Sequence, residues 1–558
     1  MEKRTKQAIL PVMLCAAMVL SGCGGRETSP AATASESSET DSAAAITVQT
    51  IDASALFSDR DMSQSYDGAA VTVRLSGDTA ACDSDAVSID GGRITLLDEG
   101  VYLFSGTLTD GQIVVNAHSE DKVQIVLDGA DITSASSAAI YCLEADKVFV
   151  TLAAGTENAL ANGGTFTAID DNNIDGAVFS KTDLTLNGTG SLTVTSPAGH
   201  GVVSKDELTV TGGAYTVTAA KHGLTGKDSV AIAGGSFTIT SGKDGIHAEN
   251  ADDASKGFLY IADGSFTVDA QGDAISASSS LQIDGGSYTL TTGGGSASAT
   301  MKAGDTMQRP GGFQNFSGGG MPPDSENTDS TDTTEDTESC KGIKADGSLT
   351  INGGTFTLDT ADDGVHSGGD VTIAGGEWTI RTGDDGIHAD SAVTIRGGSF
   401  SIPYCYEGVE GQSVTIDSGT LDITAHDDGI NAAGGADSSG TDFGFGRQDQ
   451  FAADENCFVI INGGTITIVS DGDSIDSNGT LTVNGGTLDL TCNGNGNTAI
   501  DTNGTYTNNG GDITTNDGSE SGTGGMGGMG GGKPRGNGKE NGGEMRPARQ
   551  NPAPNAPA

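Results

Sequence analysis

The sequence is poor in aromatic residues, in proline and in positive charge. Aromatic residues make up 5% of the 558 residues, with a single tryptophan, whereas glycine occurs 87 times. Packed globular domains rarely have this composition, and with only 12 prolines the glycine is not collagen-like. There are 27 basic residues against 76 acidic ones, a formal net charge of -49. We therefore expect no nucleic-acid partner, because phosphate binding requires a basic surface.

Cysteine is also scarce and scattered. Beyond residue 23 there are six cysteines: Cys82, Cys142, Cys340, Cys405, Cys457 and Cys492. They form no CxxC pair, so the sequence gives little support for a cysteine-bound zinc site. In an exported protein, the acidic excess instead favours divalent cations, neutral polymers, or acidic polymers bound through bridging cations.

The first 45 residues indicate export and a lipid anchor. A short basic segment precedes an apolar run, residues 8–20, which is too short to span a bilayer and is flanked like a secretory signal. The run ends in Leu20-Ser21-Gly22-Cys23, which fits the bacterial lipobox. We predict a signal peptide at 1–22, lipidation of Cys23, and a flexible tether at 23–45. The protein would then lie on the extracellular face of the bacterial cell membrane; an ordinary signal peptide that contains a cysteine is the alternative.

A 22-residue repeat dominates the sequence. The phrase Ile351-Asn352-Gly353-Gly354-Thr355-Phe356-Thr357-Leu358 returns 22 residues later as Ile373-Ala374-Gly375-Gly376-Glu377-Trp378-Thr379-Ile380. Apolar residues alternate with polar ones in each copy, which is the period of a half-buried strand, and the glycine pair bends the chain between strands. The repeat predicts an all-β fold, a parallel β-helix solenoid with coils of about 22 residues.

The repeat also divides the chain. We expect a cap with irregular coils at 46–152 and the regular β-helix at 153–506. Low-complexity insertions interrupt the β-helix at 291–340 and 434–456, and a disordered tail rich in Gly, Asn and Pro follows at 507–558.

One column of the repeat is aromatic. Trp378 occupies the same position as Phe237, Phe266, Tyr288, Phe356 and Phe400. We predict that this column points inward and stacks in the core; a platform for sugar rings is the alternative.

A second column is acidic. Turns such as Asp362-Asp363-Gly364 and Asp384-Asp385-Gly386 follow the glycine pairs, and two carboxylates on coils about 4.8 Å apart repel by roughly 3 kcal/mol at an effective dielectric of 20. Such a column favours bound cations, and its hard oxygen ligands suit calcium. We therefore predict Ca2+ as the cofactor, bound by Asp244, Asp362, Asp363, Asp384, Asp385, Asp390, Glu407, Asp427, Asp428 and Asp473. Aspartates that merely cap turns are the alternative.

A third column begins three residues after the acidic turns and contains His247, His366 and His388. Because neighbouring coils have Lys344, Glu410 and Asn431 there, we interpret it as an exposed polar strip for polysaccharide hydroxyls, not as a transition-metal or catalytic site. The residues predicted to bind this ligand are His366, His388, Lys344, Arg381 and Arg396.

Several phrases resemble a known family. Gly100-Val101-Tyr102-Leu103-Phe104-Ser105-Gly106, Val126-Leu127-Asp128-Gly129 and Ala177-Val178-Phe179-Ser180 are similar to the bacterial carbohydrate-binding β-helix lipoprotein family. The resemblance covers roughly residues 46–506. It implies a right-handed helix of pectate-lyase-like architecture, calcium ions, and binding of cellulose or polygalacturonate. The usual handedness of parallel crossovers agrees.

Three functions follow as hypotheses. The first is a non-catalytic carbohydrate-binding surface lipoprotein, calcium-dependent, that binds acidic or cellulosic polysaccharide. The second is a calcium-dependent polysaccharide lyase, in which Lys341, Lys344, Arg381 or Arg396 would act as the base. The third is a structural or adhesive surface stalk.

Overall fold

The computed structural model describes residues 51–66, 70–167, 173–250, 252–299, 339–433 and 453–522. The predicted signal peptide, Cys23 and the tether lie outside these residues, as do 300–338 and 434–452 of the two insertions and the end of the tail. The described residues all belong to one of the two units of the chain, Gln49–Ala558. Within them, no helix is both long and apolar enough to cross a membrane.

The described chain is all-β with almost no helix. Its strands join into one long sheet in which parallel pairing dominates. Helix is confined, among the described residues, to four short segments: Ala53–Ala55, Asp59–Met62, Ser296–Ser298 and Ser519–Ser521.

The strands stack in three parallel ladders. In one coil, Thr355–Thr360 is followed by Val365–Ser367 and then by Val371–Ile373. Each pairs with the strand at the same place in the next coil, and Thr355 lies opposite Glu377, 22 residues later. We call the ladders A, B and C in this order. The pairing is consistent with the predicted parallel β-helix and has its predicted period.

The three ladders run nearly the whole length of the described chain. Ladder A contains Val71–Gly77, Gly100–Leu108, Glu157–Asn162, Ser191–Ser196, Ala214–Ala219, Ser236–Ser241, Ser265–Ala270, Ser287–Thr292, Thr355–Thr360, Glu377–Thr382, Ser399–Cys405, Thr420–Ala425, Thr465–Ser470, Thr487–Cys492 and Asp512–Thr515. Ladder B contains Arg93–Leu96, Gln112–Asn116, Ile140–Glu144, Gly176–Ser180, His200–Ser204, Leu224–Gly226, Ile246–Ala248, Ile275–Ala277, Ile343–Ala345, Val365–Ser367, Ile430–Ala432, Ile475–Ser477 and Ile500–Thr502. Ladder C contains Lys147–Leu152, Asp183–Gly188, Glu207–Val210, Ser229–Ile232, Phe258–Ile261, Leu281–Ile283, Leu349–Ile351, Val371–Ile373, Phe458–Ile461, Thr480–Val483 and Tyr506–Asn508.

Three long strands belong to two ladders each. Lys122–Ser134 pairs in both A and C, while Ile387–Ile395 and Val409–Ile416 pair in both B and C. Antiparallel pairing within the described residues is limited to the first coils, where Thr79–Ala81 pairs with Val71–Gly77 and Val87–Asp90 pairs with Arg93–Leu96.

The coils continue beyond residue 506, where the sequence predicts a disordered tail. Asp512–Thr515 pairs in parallel with Thr487–Cys492, and Ile513 packs against the core. The sequence predicts disorder at 507–522 because Gly and Asn are frequent there and Ile513 is the only large aliphatic residue. The predicted start of the tail is therefore too early.

Aromatic rings stack in the core along ladder A. Ring centroids are 4.8 Å apart between Phe237 and Phe266, and Trp378 lies between Phe356 at 3.7 Å and Phe400 at 5.7 Å. Trp378 is only 3% exposed. The inward stack is confirmed, and the alternative of a sugar platform is wrong.

The glycine pair makes room for this stack. Gly376 has a φ of +110°, and a Cβ there would lie 2.9 Å from Nε1 of Trp378 and 3.1 Å from the carbonyl oxygen of Gly354. A side chain would therefore meet both backbone strain and a clash. This explains why the second glycine recurs before the aromatic position of each coil.

An N-terminal segment, 51–66, lies along ladder C. The N–H of Ile51 donates to Oε1 of Gln282 at 2.8 Å. Ten residues later the buried carboxylate of Asp61 is 2.8 Å from Nζ of Lys147 and accepts from the Thr185 hydroxyl at 2.6 Å. The segment thus crosses several coils and reaches the side of the stack, which the sequence did not predict.

The stack makes a stability prediction. Trp378→Ala should lower the free energy of unfolding by about 3–5 kcal/mol, because it leaves a large cavity between two stacked rings. The adjacent outward residue gives the control, and Thr379→Ala should change it by less than about 0.5 kcal/mol. Urea denaturation followed by circular dichroism measures both. Equal midpoints for the two variants would contradict the core role of Trp378.

Candidate cation-binding face

The turns between ladders A and B form a continuous column. Each turn usually ends in a glycine. The residue just before this glycine stacks on the equivalent residue of the next coil. The N–H of Gly364 donates to the carbonyl of Asp385 at 2.8 Å, and that of Gly386 to the carbonyl of Glu407 at 2.9 Å. We call this the turn column; its members are His200, His222, Asp244, Asp273, Lys341, Asp363, Asp385, Glu407, Asp428 and Asp473.

A second column lies three residues further on, at the outward position of ladder B. We call it the strand column; its paired members are Thr225, His247, Ser276, Lys344, His366, His388, Glu410, Asn431, Asp476 and Asp501. The columns touch, since His366 Nδ1 is 2.8 Å from Asp363 Oδ2 and His247 Nδ1 is 2.6 Å from Asp244 Oδ2.

The strand column is not the exposed strip that the sequence predicts. His388 is 1% exposed and Glu410 is 3% exposed. Neighbouring side chains cover these two, whereas the side chain of Lys344 is 25% exposed. A polysaccharide could therefore touch only the less buried members of this column.

Lys341 supplies a cation inside the turn column. Its Nζ is 3.0 Å from Asp362 Oδ1 and 2.7 Å from Asp363 Oδ2. Burial opposes the lysine charge, but Asp363 and Asp362 outweigh it and raise the pKa of Lys341 well above its usual range. Lys341 is thus a fixed ammonium, unsuited to act as a base at neutral pH.

His388 supplies a second positive group. Its Nδ1 is 3.3 Å from Asp385 and 3.5 Å from Glu410, and its Nε2 is 3.6 Å from Asp390. Burial disfavours the charged ring, but Asp385 and Asp363 outweigh it and raise the pKa of His388 to about 9. The ring is therefore an imidazolium at neutral pH.

Further along, acidic groups face one another. Burial and the neighbouring Asp385 raise the pKa of Glu407 well above its usual range and that of Glu410 to about 8. Burial also raises the pKa of Asp473 and Asp476 to about 7, with Asp501 adding repulsion. Each of these carboxyls therefore resists ionisation in the absence of a cation.

The donors of this acidic stretch fit calcium. Carboxylate oxygens of Asp473, Asp476 and Asp501 lie within 4.8 Å of one another. Asn431, between Glu410 and Asp476 in the strand column, donates to Glu407 Oε2 at 3.0 Å, while its own buried Oδ1 has no hydrogen-bond partner. Carboxylate and amide oxygens are the ligands that Ca2+ takes in proteins.

Most of the predicted metal ligands lie on this face. Asp362, Asp363 and Asp384 come together, and Asp385, Glu407, Asp428 and Asp473 belong to the turn column. Asp427 precedes Asp428 in the same turn, Asp244 lies beside His222 and His247, and Asp390 is 44% exposed at the edge, against His388. Five further residues of this face were not predicted as metal ligands: Asp273, Glu410, Asn431, Asp476 and Asp501. Asp273 could have been found because it lies one coil from Asp244, and the other four because each lies in the column three residues after the turns.

The predicted ligand-binding residues are more dispersed. Lys344, His366 and His388 share the strand column. Arg381 belongs to ladder A, where its guanidinium lies 5.3 Å from the ring centre of Tyr404, and Arg396 follows ladder C. The two arginines are thus exposed on other faces.

Both insertions leave the stack at the edges of ladder B. The first leaves after Thr292 of ladder A and returns before Ile343 of ladder B, while the second leaves after Ala432 of ladder B and returns before Phe458 of ladder C. A cavity of about 330 Å³ opens on the same face, lined among others by His222, Asp244, His247, Asp273 and Lys344. Loops that flank one face of a repeat fold commonly mark its binding face.

The chain belongs to the family of carbohydrate-binding domain-containing proteins, whose model matches residues 90–386 and 385–526. A carbohydrate-binding domain-containing protein of Acetivibrio thermocellus is 37% identical over 134 residues, which are 24% of this chain and 47% of that relative. The match thus spans about half of the relative's length. A solved structure of a polysaccharide lyase-like protein from C. thermocellum, a gadolinium derivative, is 36% identical, with 40% of this chain and 92% of that chain covered and a TM-score of 0.39.

The raised pKa values predict how stability depends on pH. Without metal, Glu410, Asp473 and Asp476 hold protons in the folded chain that the unfolded chain has lost above about pH 5. The proton on His388 is likewise held more tightly in the folded chain. The melting temperature in chelator should therefore fall as pH rises from about 5 to about 8, and calcium should flatten this trend by replacing the protons.

Thermal melts at several pH values, with chelator and with excess calcium, measure this dependence. Asp473→Asn should reduce the slope in chelator, whereas Asp422→Asn, an exposed acid of ladder A, should not. A melting temperature that rises over this pH range in chelator would contradict the assignment.

Lys341 yields a second prediction. Lys341→Met removes the ammonium between Asp362 and Asp363, and the loss of this charge from two neighbouring carboxylates should lower the free energy of unfolding by about 3 kcal/mol or more in chelator. Calcium should restore most of this loss by entering the same place. The control is Lys122→Met, which breaks an exposed 3.2 Å ion pair with Asp146 and should cost at most about 1 kcal/mol. Loss without calcium rescue would show that the site takes no divalent ion.

Proposed function

We propose that this protein is a non-catalytic carbohydrate-binding lipoprotein of the bacterial cell surface, which uses Ca2+ to bind acidic or cellulosic polysaccharide such as polygalacturonate or cellulose. Its family membership supports carbohydrate binding. The observation that carries the calcium proposal is the stretch of mutually repelling carboxyls from Glu407 to Asp501.

The electrostatics favour a bridging role for the ions. With a formal net charge of -49, the protein repels an acidic polymer at long range. A calcium ion held at the edge of the columns can bind a uronate carboxylate with its remaining coordination positions. Calcium would thus both neutralise the columns and attract the polymer.

The face between the insertions is the proposed binding surface. The described chain is interrupted on either side of ladder B, before Ile343 and after Ala432, and the cavity opens on this ladder. Ladder C is covered in part by the segment 51–66, which occupies several of its coils. We therefore propose ladder B, at the edges of its columns, as the place where the polysaccharide binds.

A calcium-dependent lyase is the second candidate function. The surroundings of the four residues proposed as its base argue against it. Lys341 is held between two carboxylates, and Arg381 and Arg396 lie on other faces. Lys344 lines the cavity, and its Nζ lies 3.8 Å from Asp273 and 3.6 Å from Asp346. A lyase base must lose its proton before the reaction, and the raised pKa of Lys341 opposes this loss.

The handedness of the coils and the lipid anchor are part of the same proposal. The coils would wind right-handed, as parallel crossovers almost always do. Lipidation of Cys23 would hold the chain on the extracellular face of the membrane. A structural or adhesive stalk with no glycan preference is the third candidate.

Binding of the full chain to insoluble cellulose and to polygalacturonate, in calcium and in chelator, tests the proposal. We expect selective binding that falls at least tenfold in chelator, without unsaturated products that absorb in the ultraviolet. Asp428→Asn should weaken calcium-dependent binding, and the exposed control Asp422→Asn should not.

The other outcomes separate the candidates. Ultraviolet-absorbing products would identify a lyase. Binding that ignores both calcium and polymer type, or no binding at all, would leave the structural or adhesive stalk.

A further inference from the structure

Two histidines and an aspartate meet at one end of the cation-binding face. Asp244 Oδ2 is 3.3 Å from Nδ1 of His222 and 2.6 Å from Nδ1 of His247. The two imidazole rings are stacked with centroids 4.3 Å apart and planes 19° from parallel. The three ligand atoms lie within 4.8 Å of one another, so one ion could contact all three after small shifts.

A neighbouring carboxylate orients His247. Its Nε2 is 3.1 Å from Oε2 of Glu249. If Nε2 carries the proton for this contact, the lone pair of Nδ1 points toward Asp244. In metal sites, a carboxylate on the far nitrogen of a histidine ligand fixes the tautomer in this way.

The cluster opens onto the cavity of about 330 Å³. The nearby ammonium of Lys344 lies 3.8 Å from Asp273 and 3.6 Å from Asp346, whereas in the turn column Lys341 contacts Asp363 at 2.7 Å. An ion here would therefore have room for water or a small ligand as a fourth contact.

The donor set differs from that of the acidic stretch. Imidazole nitrogens suit zinc, copper, nickel and iron, whereas calcium takes oxygen ligands. Zinc bonds to histidine nitrogen and carboxylate oxygen are about 2.0–2.2 Å long. The distances from Asp244 Oδ2 to the two Nδ1 atoms, 2.6 and 3.3 Å, would therefore have to become more nearly equal when an ion binds. Nδ1 of His222 also accepts the N–H of Asp244 at 3.1 Å, and the ion would replace this bond.

We propose that His222, Asp244 and His247 bind one divalent transition-metal ion of the zinc class, with an open position toward the cavity. The site does not depend on the proposed function. It assigns Asp244, which was predicted as a calcium ligand, to a different metal. It also makes His247, which the sequence placed in a polar strip, a metal ligand.

The second histidine cluster provides the internal comparison. Asp363, His366 and His388 also bring their ligand atoms within 4.8 Å. There, however, Asp363 already contacts the ammonium of Lys341 at 2.7 Å, and His388 is buried among carboxylates. A divalent ion would have to displace a bound positive charge, so only the first cluster should bind one with high affinity.

Cobalt titration of the untagged full chain tests the site, because Co2+ reports its ligands through visible absorption. After chelator treatment and dialysis into excess calcium, the chain should bind one Co2+ with visible bands, and Zn2+ should displace it. His222→Ala and His247→Ala should each weaken binding at least tenfold. His366→Ala, in the second cluster, and His426→Ala, an exposed histidine, should bind as the unaltered chain does.

Circular dichroism checks that each variant folds, and Asp244→Asn gives a near-isosteric variant that should also weaken binding. Several outcomes would overturn the proposal: no Co2+ or Zn2+ bound per chain, displacement of Co2+ by calcium, or equal binding by His247→Ala and the unaltered chain. Loss of binding in His366→Ala but not in His222→Ala would place the metal in the other cluster.

Discussion

The stacking of each coil on the next, in register, is the constraint on which the rest of the structure depends. Because residues 22 apart lie opposite each other, a residue type that recurs in the repeat must contact its own kind. This is favourable for Phe356 on Trp378, whose rings are 3.7 Å apart. It is unfavourable for Asp385 on Glu407, since both are acids in a buried column. The same register that builds the core therefore creates an electrostatic problem outside it.

The chain answers that problem in different ways along its length. Near the first insertion Lys341 provides an ammonium, and the next two coils provide the imidazoles of His366 and His388. Beyond Glu407 the two columns are mostly acidic, and the carboxyls there resist ionisation. Built-in cations suffice in one half, while the other half needs protons or added ions. Since stacked coils draw stability from their neighbours, an ion bound there would stabilise the coils on both sides of it.

The sequence predicted the features that follow from periodicity. The 22-residue spacing gave the parallel coils, and the aromatic column gave the stack through Trp378, because alternation and repetition are local properties of the chain. Burial of the strand column was missed, since it depends on how neighbouring coils cover side chains such as His388. The contact between Asp61 and Lys147 was also missed, because no repeat relates an N-terminal segment to the coil it crosses. Asn431 was assigned to the third column but not to the metal ligands, because only the register shows that it lies between Glu410 and Asp476.

The two metal chemistries proposed here follow from one geometrical rule with different residues placed in it. The turn and strand columns bring residues i and i+3 of each coil together, and an adjacent coil, before or after, adds a third contact. Where these are Asp473, Asp476 and Asp501, the three donors are all oxygen; where they are His222, Asp244 and His247, two are nitrogen. A single substitution per coil therefore changes the cation that a place prefers, without any change in backbone path. A stacked repeat can in this way hold several different cation sites on one face. Their order along the axis follows the order of the coils in the sequence.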